Sequence, residues 1–309
     1  MTTADPVLTL ADLETWSFSG TALAVLGHPI KHSISPAMHN AALAELSRSD
    51  KNFATWKYFR FDIPPEDLPR ALDRLRAKAF YGLNLTVPHK VIAFDHVATI
   101  DPIARPIGAV NTLRATEQGW QGFNTDGYGL AMGIHGDLGL DLAGSDIVLL
   151  GAGGAARSAA VECLQRRCRS LWIANRTIAN LDVLLKALQP IASDIAVHGF
   201  DPQDPPSDLP VNAIVINATS AGLRDSDIPP VNLVQFPRPA GVYDIIYNPP
   251  KTKLLAQAAA LGIPWANGLS MLIHQGACAL THWTGRPTPV AAMRTAARAA
   301  MGVEDGTSK

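Results

Sequence analysis

Cysteine is scarce: the chain holds three, Cys163, Cys168 and Cys278, in 309 residues. They cannot all pair with one another and none belongs to a C-x-x-C, which argues against a disulfide framework and for reduced, buried thiols. Long apolar runs are missing as well; none reaches the ~18 residues that cross a bilayer. The opening Met-Thr-Thr-Ala-Asp-Pro lacks a basic segment followed by an apolar one. No secretory signal is therefore expected, and the reading is a cytoplasmic protein. Neither sign of charge dominates. Lys and Arg number 26 against 27 Asp and Glu, a formal charge of −1, so no basic field is available to hold nucleic acid or an anionic membrane. Metal-ligand spacing is absent: His28 and His32 have no third partner at a convincing interval, and His39 is expected to cap or pack. No metal is expected. A G-x-S-x-G elbow is also lacking, so serine hydrolase chemistry has no support.

What is present is apolar material in ordinary proportion, 47% against 17% charged, over a length that suits about two domains. Short β-rich runs alternate with longer amphipathic ones from about residue 22 to residue 300. The pattern predicts strands over 23–26, 55–61 and 82–87, and a hairpin of 109–115 with 120–124 about Thr116-Glu117-Gln118-Gly119. A helix is expected from Ser35 to about Leu46, with Ser35 as its N-cap, Pro36 in the first turn and Ser33 outside the cap position. Another follows Pro64-Pro65, carrying Leu68, Leu72 and Leu75 at helical spacing. After Thr125 the character changes. A helix of about a dozen residues leads to apolar runs at 147–150, 171–174, 213–216 and 242–246 that show no polar alternation. Such runs suit central strands of a parallel sheet covered on both faces. The expectation is an α/β fold with a doubly wound sheet in its second part. The Asp- and Pro-rich stretch 201–210 reads as an exposed loop, 269–283 and 290–301 as helices, and 304–309 as a disordered tail.

One strand-to-helix turn carries a dinucleotide signature. Gly151-Ala152-Gly153-Gly154-Ala155-Ala156 follows the apolar run directly and fits G-x-G-x-x-A. Its first glycine permits the tight turn and its second lets a pyrophosphate approach the helix N-terminus. An NAD site places Asp or Glu at the end of the next strand, to accept hydrogen bonds from the ribose. Here that strand ends in Asn175-Arg176-Thr177. A guanidinium pairs with a 2′-phosphate, so NADP is the expected cofactor.

Four dense polar clusters mark the first half: Gly27-His-Pro-Ile-Lys-His-Ser-Ile-Ser-Pro36, Asn84-Leu-Thr-Val-Pro-His-Lys90, Gly108-Ala-Val-Asn-Thr112 and Gly122-Phe-Asn-Thr-Asp126. Each lies near a strand end or a helix start, where side chains and N–H groups converge on a small ligand. Hydroxyls, amides, one lysine and one aspartate suit a polyhydroxylated carboxylic acid. Later segments add Asn217-Ala-Thr-Ser220-Ala-Gly-Leu223, Tyr243-Asp-Ile-Ile-Tyr247-Asn-Pro and Gly268-Leu-Ser270-Met-Leu-Ile-His-Gln275.

Together these ordered motifs resemble the shikimate dehydrogenase family over nearly the whole chain, from Leu23 to about Gly285. The resemblance implies a substrate domain (1–125 and 269–309), a Rossmann NADP domain (126–268) and a C-terminal helix returning to the first. It places Ser33, Ser35, Asn84, Thr86, Lys90, Asn111, Asp126, Tyr247 and Gln275 on substrate-contacting positions. Asn217, Ala218, Thr219, Ser220, Ile245 and Gly268 fall where the family touches the cofactor, beside the glycine-rich turn. The implied reaction is NADPH-dependent, reversible reduction of 3-dehydroshikimate to shikimate, with Lys90 and Asp126 catalytic. Partners other than a small molecule are not implied, and the protein would act as a monomer or homodimer. Four features depart from the family: some 20 additional N-terminal residues, Ser270 in place of a glycine, Leu223 where methionine is usual, and Ile178-Ala-Asn180 without a second arginine. The nearest alternative is a quinate/shikimate dehydrogenase of broader substrate and cofactor range. A ligand-sensing regulator on the same scaffold is another, disfavoured by the presence of both Lys90 and Asp126.

Overall fold

The computed structural model describes residues 6–302. Two compact units divide the chain, Met1–Thr125 with Gln275–Lys309, and Asp126–His274. The tail expected to be disordered, 304–309, lies outside the described residues.

The first unit is built on a mixed seven-stranded sheet in the order β1-β3-β2-β4-β6-β7-β5. In chain order its elements are β1 (Leu8–Thr9), β2 (Thr21–Gly27), α1 (Ser35–Ser49), β3 (Trp56–Asp62), α2 (Leu68–Ala77), β4 (Phe80–Leu85), α3 (His89–Ile92), β5 (Thr99–Ile100), β6 (Thr112–Thr116) and β7 (Gly119–Phe123). The run Ala22–Leu26 forms the centre because neighbours lie on both sides: β3 and β4 each pair with β2 in parallel. Residues buried on both faces need no polar alternation. On α2 the apolar stripe Leu68, Ala71, Leu72 and Leu75 is fully covered by the sheet's core, with Phe61, Phe80, Leu83 and Leu113.

The additional N-terminal residues extend this sheet and core. Leu8 pairs opposite Phe61 on the outer side of β3. Leu13 is fully buried, and Trp16 packs edge-on against Phe59, with ring centroids 4.8 Å apart. The Lys78 ammonium donates to the carbonyls of Glu14 and Trp16.

Local geometry corrects one expectation. Ile34, not Ser35, occupies the N-cap of α1, and Ser35 is already helical. The capping bond comes from one residue earlier: Ser33 Oγ accepts the Ser35 N–H at 3.3 Å. His39 packs rather than caps. It lies flat on Tyr58 with centroids 4.1 Å apart, and burial pushes its pKa down to about 3.

The second unit holds α4 (Asp126–Leu138), β8 (Asp146–Leu150), α5 (Gly154–Gln165), β9 (Ser170–Ala174), α6 (Ile178–Ala192), β10 (Ala196–Phe200), β11 (Ile214–Asn217), β12 (Gly241–Asp244), α7 (Lys253–Ala260) and β13 (Trp265–Asn267). Its six strands run parallel in the order β10-β9-β8-β11-β12-β13. This is the doubly wound order, and it reverses direction between β8 and β11. Two strands escaped the sequence reading. β10 pairs only with β9, and among its residues only Phe200 is buried. An edge strand with one covered residue has no apolar run to betray it. β13 is too short to show a period.

Two further helices follow, α8 (Leu269–Thr284) and α9 (Val290–Ala300). The division between units falls within α8, after His274, rather than before it at 268/269. At the N-terminal end of α8 the Ser270 hydroxyl donates to Asp137 Oδ1 on α4 at 2.8 Å. In the first unit α9 packs along α1. No disulfide joins the cysteines; Cys163 and Cys168 are buried and Cys278 only partly so. Burial raises the thiol of Cys168 to about 11.

Candidate active site

In the first unit the candidate residues gather at the ends of β2 and β4 and just before β6. After β2 the chain turns, and Ile30 O accepts the Ser33 N–H at 3.0 Å. Arg60, which no motif singled out, braces this loop by donating to the carbonyls of Lys31 (2.7 Å) and Ser33 (3.3 Å). Ser33 is half-buried and Ser35 is buried. Thus the Ser33 hydroxyl is engaged at the helix start. The Ser35 hydroxyl makes no hydrogen bond to the protein among the described residues.

Beyond β4 the chain reverses tightly. Thr86 N–H donates to Leu26 O at 2.9 Å and His89 N–H to Thr86 O at 2.8 Å. This turn sets Lys90 in the first turn of α3, where its carbonyl accepts Val110 N–H at 2.9 Å. Thr86 and Lys90 are both half-buried, each with its side chain short of full enclosure.

Asn84, Asn111 and Gln275 are joined in one buried network. Asn84 Nδ2 donates to Asn111 O and to Thr112 Oγ1. Asn111 Nδ2 donates to Thr125 Oγ1 (3.0 Å) and to Gln275 Oε1 (3.2 Å), while its Oδ1 accepts the Thr125 N–H at 2.9 Å. The two asparagines sit 6% and 1% exposed, so their amides are held by protein partners before any ligand arrives. Asp126 and Tyr247 belong to the second unit. Asp126 is buried and opens α4; Tyr247 is half-buried, and burial raises its phenol.

The second unit has its own concavity, a cavity of about 760 Å³ at the carboxyl ends of β8, β9 and β11. That is where the strand order reverses, the position at which open α/β sheets hold ligands. Of the expected cofactor residues, Gly151, Gly153, Asn175, Arg176, Ala218, Thr219 and Ser220 line it. Gly151 has φ +112°, and a Cβ there would press 3.1 Å from Ala218 O. Gly153 caps α5, and a Cβ on it would meet no protein atom within 4 Å. A helix N-terminus with open space above it suits a phosphate.

Arg176 is exposed, and among the described residues no protein acceptor engages its guanidinium. Asn175, by contrast, turns its amide back onto Thr177 O at 2.8 Å. These residues fit a phosphorylated dinucleotide.

Gly154, Ala155, Ala156, Thr177, Asn217, Ile245 and Gly268 are not among the lining residues, and several have evident work inside the fold. Ala156 is fully buried. At Gly268 a Cβ would collide with Ile245 O. Asn217, fully buried, donates to Asp244 Oδ1 at 3.0 Å and accepts from Thr219 N–H and Oγ1. Asp244 in turn accepts from Thr252 Oγ1 at 2.6 Å and from Ile246 N–H at 3.1 Å. Burial raises the Asp244 carboxyl, and those hydrogen bonds pull it the other way. Asn217 and Asp244 therefore shape the loop that presents Thr219 and Ser220.

Sequence reasoning missed the opposite wall, which Gln203, the segment 226–232 and Gln235 provide. It has neither periodicity nor a glycine pattern. The Asp- and Pro-rich composition around 201–210 was its nearest signal. Among the described residues no cluster of three or more His, Cys, Asp or Glu could hold a metal ion, and no helix is long and apolar enough to cross a membrane.

Residues 25–113 match the family model for the shikimate dehydrogenase substrate binding domain. Residues 268–298 match that for the shikimate 5'-dehydrogenase C-terminal domain. A relative from Moorella thermoacetica, named shikimate dehydrogenase (NADP(+)), is 41% identical over 295 residues, covering 92% of this chain and 95% of its own. Among solved structures, shikimate 5-dehydrogenase from Thermus thermophilus in complex with NADP(H) and shikimate superposes with a TM-score of 0.79. It is 35% identical, over 91% of this chain and 99% of that one. The ligand-free 5-ketofructose reductase of Gluconobacter sp. strain CHM43 superposes with a TM-score of 0.80 at 30% identity, over 92% and 99%.

Proposed function

The chain belongs to the shikimate dehydrogenase family, and we propose from that membership that it catalyses the reversible, NADPH-dependent reduction of 3-dehydroshikimate to shikimate. One observation carries the cofactor half of this reading: Arg176, with no protein acceptor among the described residues, stands in a cavity at the switch point of a doubly wound sheet. The first unit is the substrate-binding part and the second the dinucleotide-binding part. Cytoplasmic action as a monomer or homodimer is part of the same proposal.

When bound, NADPH supplies the hydride for the ring ketone; the protein must place the substrate and manage one proton. Lys90 delivers that proton to the carbonyl oxygen in reduction and removes it in oxidation. Asp126 accepts a hydrogen bond from the reacting hydroxyl. Asn84, Thr86, Asn111, Tyr247 and Gln275 hold the remaining polar groups of the ring. Ser33 and Ser35 take the carboxylate, where the N-terminus of α1 adds partial positive charge.

The serines differ in a way that gives a clean test. Ser35→Ala removes a hydroxyl with no protein partner among the described residues, so the melting temperature should stay put. The KM for shikimate should rise about five-fold, the equivalent of a hydrogen bond worth about 1 kcal/mol. Ser33→Ala also loses the bond to the Ser35 N–H and should melt earlier, by the roughly 0.5–2 kcal/mol typical of a lost cap. If both variants keep a normal KM, these serines shape the loop and do not bind the carboxylate.

The activity itself is read from absorbance of the reduced nicotinamide. Shikimate, quinate and 5-ketofructose are each offered with NADP(H) and with NAD(H), in the direction each substrate allows. We expect the highest kcat/KM for shikimate with NADP. Quinate should be poor, because its saturated ring and added C1 hydroxyl put bulk beside the serines. The carboxylate-free ketofructose serves as the control for the anion site. Absence of turnover with shikimate, or a rate with quinate and NAD that equals it, would overturn the assignment.

A further inference from the structure

Tyr58 on β3 is fully buried and held from three directions. The ring lies against His39, parallel to within 1°, with Trp283 tilted against it at 6.2 Å. Both backbone groups are clamped by one side chain: Asn40 Oδ1 accepts the Tyr58 N–H at 2.9 Å, and Asn40 Nδ2 donates to Tyr58 O at 3.0 Å. A phenol fixed this firmly has only its hydroxyl to offer, and that hydroxyl donates to Asn84 Oδ1 at 2.8 Å.

The consequence falls on Asn84. Its two N–H bonds are both committed, one to Asn111 O at 3.2 Å and one to Thr112 Oγ1 at 3.0 Å. A backbone carbonyl only accepts, so it fixes which end of the amide is nitrogen. Thr112 Oγ1 is free to accept because its own hydrogen goes to Asn111 Oδ1 at 3.0 Å. Of the two lone pairs on Asn84 Oδ1, Tyr58 takes one. Asn84 therefore has a single remaining capacity, to accept one more hydrogen bond.

We propose that Tyr58 is a positioning residue for the substrate. Its hydroxyl locks the Asn84 carboxamide in one orientation, with both N–H groups committed and one acceptor site left on the oxygen, so that Asn84 reads a ring hydroxyl that donates and rejects a ketone or carboxylate oxygen in that place. This rests on the reading that Asn84 contacts the substrate. Chemically, the group it selects is a ring hydroxyl that survives the reaction, because the reacting oxygen must also be accommodated as a ketone. Burial raises the Tyr58 phenol well above its ordinary range, so the donor persists across the pH span of any assay.

Tyr58→Phe tests this while keeping the ring, its stack on His39 and its clamp by Asn40. KM for shikimate should rise about three- to ten-fold, the range of one neutral hydrogen bond, with kcat within about two-fold and KM for NADP unchanged. Shikimate analogues lacking one or the other non-reacting ring hydroxyl give the sharper readout. The wild-type enzyme should prefer shikimate over the analogue that lacks the hydroxyl read by Asn84, and Tyr58→Phe should lose most of that preference. Thr112→Val, which releases the amide from the other side, should act in the same direction.

A wild-type KM with undiminished discrimination in Tyr58→Phe would overturn the proposal. So would a variant that melts early and loses kcat, or affinity for both substrates alike, because that is a structural role only. Asn84→Ala separates the two levels. If it raises KM for shikimate while Tyr58→Phe does not, the site stands and the role of Tyr58 falls. If Asn84→Ala leaves KM unchanged, Asn84 is not at the substrate and the underlying site reading fails with it.

Discussion

Lys90→Ala is expected to lower kcat by about 10²–10⁴-fold, the usual range for a placed acid–base group, with little change in the KM for NADP. The effect belongs to kcat because the proton moves only as the carbonyl oxygen becomes an alkoxide. The fold gives reason to expect the backbone to survive the change. Lys90 is held in the first turn of α3 through main-chain bonds: Val110 N–H donates to its carbonyl, and His89 N–H closes the preceding turn onto Thr86 O. An alanine keeps both. An ammonium beside a developing alkoxide also stabilises charge, so the variant removes proton transfer and electrostatic assistance together. A variant that keeps the charge separates them. Lys90→Arg keeps the charge but gives up a practicable base, and should recover binding without recovering turnover. Near-wild-type kcat in Lys90→Ala would remove this residue from the chemistry.

The legible parts of the sequence are those where one residue type answers to one local demand. Apolar runs such as 147–150 suit strands covered on both faces, and all four of these aliphatics are buried. Gly151 is legible because its positive φ and the nearness of Ala218 O admit no side chain. Arg176 is legible because it stands where a carboxylate is otherwise needed. What stayed hidden depends on partners distant in the chain. The sequence points to Ser35, the residue before proline, as the cap of α1, whereas the turn through Ile30 brings Ser33 Oγ onto the helix start. Tyr58 reads in the sequence as one aromatic of a strand. Only its place opposite Asn84, 26 residues away, makes it a donor to a candidate binding group. Similarly, the wall formed by 226–232 has no period of its own and acquires meaning from the cavity it closes.

Arg176→Ala is expected to reduce affinity for NADP about 10- to 150-fold while leaving use of NAD nearly unchanged. A charge-assisted hydrogen bond to a 2′-phosphate is worth roughly 1.5–3 kcal/mol, and that sets the range. The structural argument is one of isolation. The guanidinium lies exposed at the rim of the cavity and engages no protein acceptor among the described residues, so its removal leaves no buried group unsatisfied and the melting temperature should not move. Its neighbours offer limited cover. Asn175 has already turned its amide onto Thr177 O, and no second arginine follows in Ile178-Ala-Asn180. One cation then faces a dianionic phosphate, which predicts a preference for NADP over NAD smaller than two arginines would give. It also predicts strong salt sensitivity, because an exposed pair is screened within a Debye length of about 8 Å at physiological ionic strength. Measuring KM for NADP and for NAD at low and high salt, in wild type and variant, tests all three points at once. The salt dependence of NADP binding should shrink in Arg176→Ala, and that of NAD should not. Equal losses with both cofactors would mean that Arg176 supports the fold of the β9–α6 turn, and the source of any NADP preference would then lie elsewhere on the cavity wall.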